Sequence, residues 1–144
     1  MTDNQVFTQA TITAELALRL VDAAIAQAGE TGQRSVVAVV DAAGELKAFA
    51  RMDGAPLLSV SIAQDKAYTS AAFGMPTHQW HDFIKGDEPL LHGIVHTPRL
   101  VVFGGGYPVV VDGAVVGGIG ISGGHYSDDM AVAQGALAAV GLGS

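Results

Sequence analysis

Hydrophobic positions repeat with a helical period in two parts of the chain. In residues 12–30, apolar side chains recur at every fourth position, which is typical of a helix with one buried face: Leu16, Leu20, Ala24 and Ala28. Thr11 or Thr13 can cap the start of this helix by accepting a backbone N–H. A similar stripe predicts a second helix over residues 55–73, and Ser127 is the predicted cap of a final helix.

Between these helices, β-branched residues and alternating positions predict strands. The strand segments are a hairpin over residues 35–51 and single strands over residues 100–103, 107–111 and 114–122. Asp112 and Gly113 separate the last two strands, and Asp-Gly between apolar runs is a strong hairpin signal. Residues 77–84 are predicted to form a short helix, and residues 85–98 an ordered loop.

The resulting order of elements predicts the fold class. Hairpins dominate the order α-β-β-α-α-β-β-β-α, so the sheet should be mainly antiparallel with helices packed on it. A chain of 144 residues is expected to fold as a single domain, here residues 1–144. The sequence therefore predicts one α+β domain.

Composition narrows the classes of partner. Only 15% of the residues are charged, which favours an apolar surface buried between the subunits of a homo-oligomer. The net charge of −7 and the lack of basic runs argue against nucleic acid and against anionic membrane surfaces. The chain has no cysteine, which excludes disulfides and thiolate chemistry. No signal peptide or membrane span is predicted, so a cytoplasmic location is expected.

Five motifs carry a resemblance to a known family. They are VVDAAGEL at 39–46, ARMDGA at 50–55, AQDKAYTSAAFG at 63–74, FGGGYP at 103–108 and VGGIGISGG at 116–124. In this order and spacing, over residues 12–140, the chain resembles the GlcG/HbpS-like haem-degrading or haem-binding family and the C-terminal domain of PduO-type proteins.

The resemblance implies a fold and a range of functions. The expected fold is profilin-like α+β, with a five-stranded antiparallel sheet, in homo-oligomers. For some members the resemblance implies binding of haem or a cobalamin-related tetrapyrrole, and a sensing or redox-protective role. The motifs contain no histidine, so the resemblance supplies no haem ligand for this chain.

All five histidines nevertheless lie in the second half of the chain: His78, His81, His92, His96 and His125. The first four fall in residues 78–96, called the histidine segment below. His78 and His81 are spaced to share a helix face. The four could converge on a divalent metal or donate an axial ligand to haem iron. They could also move protons as catalytic groups, hydrogen-bond loop backbone or line a subunit interface.

Haem also requires an apolar slot and cations for its propionates. Apolar side chains near the histidines could form such a slot: Phe83, Leu90, Leu91, Ile94 and Val95. Arg99 or Lys85 could pair with a propionate. The alternative is that these apolar residues simply anchor a long loop.

The charged motif residues support a second hypothesis, an enzyme acting on a small carboxylated, aromatic-catabolite-like metabolite. Arg51 could anchor the carboxylate, unless it forms a structural pair with Asp53 or Asp65. Lys66 could serve as a base if desolvated, although a lysine on a helix is usually solvated. His78 and His81 complete the candidate catalytic set, with a metal as a further option.

The glycine motifs are the last candidate ligand contacts. Gly104, Gly105 and Gly106 could present backbone N–H groups to an anion, or form a tight connection between strands. Gly123 and Gly124, followed by His125, precede a helix N-terminus, where anions are favoured.

Overall fold

The computed structural model describes residues 4–143. Its helices and strands are α1 (Ala14–Glu30), β1 (Val36–Asp41), β2 (Leu46–Arg51), α2 (Ser59–Phe73), α3 (Trp80–Ile84), α4 (Glu88–Gly93), β3 (Gly106–Val111), β4 (Ala114–Ser122) and α5 (Tyr126–Ala139), with 3-10 turns at Thr77–Gln79 and Ile94–His96. Within this part of the chain, no helix is both long enough and apolar enough to cross a membrane.

The sheet has the order β2-β1-β4-β3, and every neighbouring pair is antiparallel. The α+β class is confirmed, but the sheet has four strands rather than five. The predicted strand at residues 100–103 is absent because its polar groups pair elsewhere. The N–H of Val101 donates to the hydroxyl of Thr69 on α2, 3.1 Å away, and that of Leu100 donates to Thr97. Only Val101 of this segment is buried, and Phe103 is 43% exposed.

Helices cover both faces of the sheet. α1 and α5 pack on one face over the larger hydrophobic core, and α2 packs on the other. Two glycines of β4 let α2 approach closely. A Cβ at Gly118 would collide with the carbonyl of Ala67, and one at Gly120 with that of Ala63. This close approach brings polar side chains of α2 to the sheet.

Several predicted boundaries are confirmed and others are wrong. Thr13 caps α1 by accepting from the N–H of Leu16 at 3.1 Å, and Asp112 and Gly113 both adopt the left-handed conformation that a tight hairpin turn requires. α2 begins at Ser59 rather than at residue 55, because the N–H of Ser59 is bonded to the carbonyl of Pro56 in a preceding turn.

One predicted cap and one predicted loop are wrong. His125 rather than Ser127 caps α5, since its Nδ1 accepts from the Ser127 N–H at 3.1 Å. Residues 85–98 contain a helix instead of a loop alone: the carboxylate of Asp87 caps α4 by accepting from the N–H of Leu90.

Candidate functional site

Lys66 is completely buried, and the expectation that it is solvated is wrong. Its Nζ donates to the carboxylate of Asp129 at 3.0 Å and to the carbonyl of Ile121 at 2.8 Å. Lys66 lies on α2 and Asp129 in the first turn of α5, so the pair connects helices on opposite faces of the sheet. We call this pair the Lys66–Asp129 junction.

Asp129 is held by two further donors. Its Oδ1 accepts from Nε2 of Gln33 at 2.8 Å and from the N–H of Gly124 at 3.2 Å. Burial raises the pKa of Asp129, and the same desolvation lowers the pKa of Lys66. The complete burial of Nζ keeps Lys66 away from a ligand in solvent. The geometry therefore gives the Lys66 side chain a structural role.

The Gly104–Gly106 loop closes over this junction. Gly105 has φ +123°, and a Cβ there would lie 2.5 Å from Nζ of Lys66. The N–H of Gly106 is already bonded to the hydroxyl of Thr77 at 2.9 Å. The loop is thus a tight connection around Lys66, and the Gly106 N–H donates to Thr77 rather than to a ligand. Phe103, which precedes it, places its ring 5.2 Å from Nζ.

The second glycine motif is also engaged by the protein. The Gly124 N–H serves Asp129, and a Cβ at Gly123 would collide with the carbonyl of Arg34. His125 caps the helix and packs against Tyr126 with 4.1 Å between ring centroids. The start of α5 is therefore satisfied internally.

The histidine segment lies mostly at the surface. His81, His92 and His96 are exposed, and His92 lies 3.3 Å from the carboxylate of Glu88. His78 is half-buried, and its Nδ1 is buried without a hydrogen-bond partner in residues 4–143. Its ring centroid is 5.6 Å from that of Tyr107.

The structure does not support the predicted metal site. In residues 4–143, no group of three or more histidine, aspartate or glutamate side chains is placed to hold one metal ion. The spacing of the four histidines suggested convergence. The turns of α3 and α4 instead leave three of them exposed.

The two arginine candidates behave differently. Nε of Arg99 donates to Asp65 at 3.0 Å, and its guanidinium lies 4.0 Å from the ring centroid of Tyr68. The suggested pairing of Arg51 with Asp53 or Asp65 is wrong. Arg51 instead donates to the carbonyl of Ala55 at 3.3 Å.

Two adjacent cavities border the segment between α1 and β1. A cavity of 360 Å³ is lined by Gln27, Thr31, Gly32, Gln33, Gly124, Asp128, Ala131 and Val132. A second, of 540 Å³, is lined by Ile25, Gly29, Gly32, Gln33, Arg34, Arg51, Met52 and Asp53. Gly32 and Gln33 belong to both. Gln33 therefore lies between the two cavities and is tied to the Lys66–Asp129 junction.

Sequence reasoning missed Gln33, Arg34 and Asp129. Asp128 and Asp129 both look like ordinary residues of a first helical turn, where negative charge is favoured. Nothing local distinguishes the buried carboxylate from the exposed one. The partner of Asp129 lies 63 residues away, and that separation carries no local sequence signal.

Comparison with known proteins identifies the family. The model of the family described as haem degrading protein HbpS-like matches residues 12–138. The corrinoid adenosyltransferase PduO of Salmonella typhimurium is 38% identical over 127 residues, which cover 88% of this chain. The chain spans only 38% of the length of that relative.

Solved structures agree with this assignment. Protein ORFY of Klebsiella pneumoniae is 31% identical with a TM-score of 0.89, and the match covers 96% of each chain. The PduOC:heme complex is 35% identical with a TM-score of 0.85, covering 93% of this chain and 98% of the other. The resemblance in the sequence motifs is confirmed, and the chain belongs to the HbpS-like family of haem-degrading proteins.

Proposed function

We propose that this chain binds haem or a related tetrapyrrole, as a homo-oligomer with a sensing or redox-protective role. The observation that carries the proposal is the 35% identity over nearly the whole chain to a relative crystallised with haem. Membership of the HbpS-like family points the same way. When bound, haem would supply an iron with axial positions open to a side chain or a small molecule.

The histidine segment is the surface that we propose for haem. It presents three exposed imidazoles, and a neutral imidazole is a common axial ligand of haem iron: His81, His92 and His96. Phe83 and Val95 are 55% and 44% exposed, respectively, on the same segment. Exposed apolar side chains beside an imidazole suit a flat apolar ring whose iron needs a nitrogen ligand.

The cations proposed for the propionates are engaged by carboxylates. Lys85 lies 2.9 Å from Asp82, and Arg99 lies 3.0 Å from Asp65. Both pairs are partly or largely exposed, and such pairs contribute little to stability. A haem propionate could therefore replace Asp82 as the partner of Lys85, or Asp65 as the partner of Arg99, at little cost in free energy.

Titration with haemin tests this proposal. We expect a Soret band that saturates at a defined stoichiometry and is lost when one of His78, His81, His92 or His96 is replaced by alanine. Gln79→Ala, an exposed change in the same segment, is the matched control and should leave the band unchanged. Nonspecific spectra that are the same in the wild type and all four histidine variants would overturn the proposal.

Exposed apolar side chains support the homo-oligomer. Leu57, Leu58 and Phe73 are each more than half exposed, and a monomer seldom leaves many large apolar groups in water. Light scattering should give a multiple of the 14.7 kDa chain mass, and a monomer at micromolar concentration would contradict this part of the proposal.

A further inference from the structure

The 540 Å³ cavity carries two arginines at its wall. Arg34 lies in the connection between α1 and β1, and Arg51 ends β2, the strand that pairs with β1. None of its lining residues belongs to the histidine segment, so this cavity is separate from the surface proposed for haem. Its volume falls within the range of small-molecule pockets, about 300–1,000 Å³.

Both guanidinium groups are positioned by the same short turn. Arg34 donates to the carbonyl of Asp53 at 3.4 Å, and Arg51 donates to that of Ala55 at 3.3 Å. Between these carbonyls, Gly54 has φ +85°, and a Cβ there would lie 2.7 Å from Nη1 of Arg34. The absence of a side chain at Gly54 therefore makes room for the Arg34 guanidinium.

Neither guanidinium forms an ion pair in the part of the chain that the structure describes, although Asp53 also lines the cavity. The chain has 14 acidic residues against 7 lysines and arginines, and Lys66, Lys85 and Arg99 each form an ion pair. Each guanidinium carries five N–H donors and uses one of them for its carbonyl contact. The remaining donors of each arginine can therefore bind a ligand.

We propose that this cavity binds a small organic carboxylate with an apolar body, which is a ligand beyond the tetrapyrrole of the proposed function. A guanidinium matches a carboxylate through two parallel hydrogen bonds. The half-buried side chains of Ile25 and Met52, also in the cavity wall, contact the apolar part of the ligand. Asp53, which also lines the cavity, disfavours a ligand with excess negative charge, such as a phosphate.

Isothermal titration calorimetry with benzoate tests the proposal. We expect saturable binding to the wild type, with affinity lowered at least about tenfold in Arg34→Gln and in Arg51→Gln, because each removes a charge-assisted hydrogen bond. Arg19→Gln is the matched control, since Arg19 is an exposed arginine of α1 outside the cavity, and it should bind as the wild type does. Thermal unfolding verifies that each variant is folded.

Two probes on the wild type give readouts that do not depend on the variants. Benzamide, which has nearly the same shape without the charge, should bind at least about tenfold more weakly than benzoate, because it lacks the anionic partner of the guanidinium groups. Inorganic phosphate should also bind more weakly than benzoate.

Four results would overturn the carboxylate site. They are no saturable benzoate binding, equal binding of benzamide, phosphate binding as tight as that of benzoate, and unchanged benzoate affinity in both cavity variants. A fall in subunit number on light scattering, together with lost binding in those variants, would assign the arginines to a contact with a second copy instead. Haemin binding is measured separately, so failure of one proposal is distinguishable from failure of the other.

Discussion

The Lys66–Asp129 junction and the histidine segment differ in almost every physical respect. The junction joins two residues 63 positions apart, with side chains 0% and 2% exposed. The histidine segment gathers four titratable rings within 19 positions and leaves three of them in solvent. Clustering in sequence therefore did not produce convergence in space, whereas residues far apart in the sequence form a buried polar centre around Lys66 and Asp129.

The largest expected effect on stability comes from replacing one residue of the Lys66–Asp129 junction. Lys66→Met or Asp129→Leu alone should lower the free energy of unfolding by about 3–5 kcal/mol, because each leaves a buried charge unpaired. The double variant should be more stable than either single variant. Urea denaturation measures all three.

The exposed pair of Lys85 and Asp82 is the matched control for this cycle. Lys85→Met should change stability far less than either junction variant, because solvent screens both partners. If the double variant of the junction lost the sum of the two single effects, the pair would not be coupled as described.

The single variants Lys66→Met and Asp129→Asn should respond to pH in opposite directions. In Lys66→Met, burial raises the pKa of the lone Asp129 carboxyl above its unfolded value, so stability is highest in acid and is lost as pH rises from about 4. In Asp129→Asn, burial lowers the pKa of the lone Lys66, so stability is highest in base and is lost as pH falls from about 10.4. Each slope is at most about 1.4 kcal/mol per pH unit. Slopes of the same sign, measured by urea unfolding across pH, would contradict the assignment of one buried charge to each variant.

A smaller effect is expected in the loop that closes over the junction. Gly105→Ala should lower stability by about 1–3 kcal/mol, because it forces a left-handed backbone and drives a Cβ against Lys66. Gly113→Ala is the control, since Gly113 also has positive φ but faces open space, and it should be affected less. Equal thermal shifts in the two variants would mean that the contact with Lys66 adds nothing.

The smallest effects belong to the histidine segment. His81→Ala and His96→Ala should each change the free energy of unfolding by no more than about 0.5 kcal/mol, because both side chains are exposed. A loss of several kcal/mol from either would show that the segment supports the fold as the junction does.

The sequence predicted the elements better than it predicted the site. Capping by Thr13, the hairpin at Asp112 and Gly113, and the long helices depend on neighbours within a few positions, and these were predicted correctly. Residues 100–103 have strand composition, but their hydrogen bonds go to α2 and to a local turn. The environment of Lys66 could not be predicted, because it depends on a helix more than 60 positions away.

The account assigns a structural role to the Lys66–Asp129 junction and haem binding to the histidine segment. The most direct test compares haemin binding by the Lys66→Met/Asp129→Leu double variant with haemin binding by the histidine variants. The account predicts that the folded double variant binds haemin with the stoichiometry of the wild type, whereas one of the variants His78→Ala, His81→Ala, His92→Ala and His96→Ala loses the Soret band. Loss of the band in a folded double variant, with all four histidine variants unchanged, would contradict it and place haem at the junction.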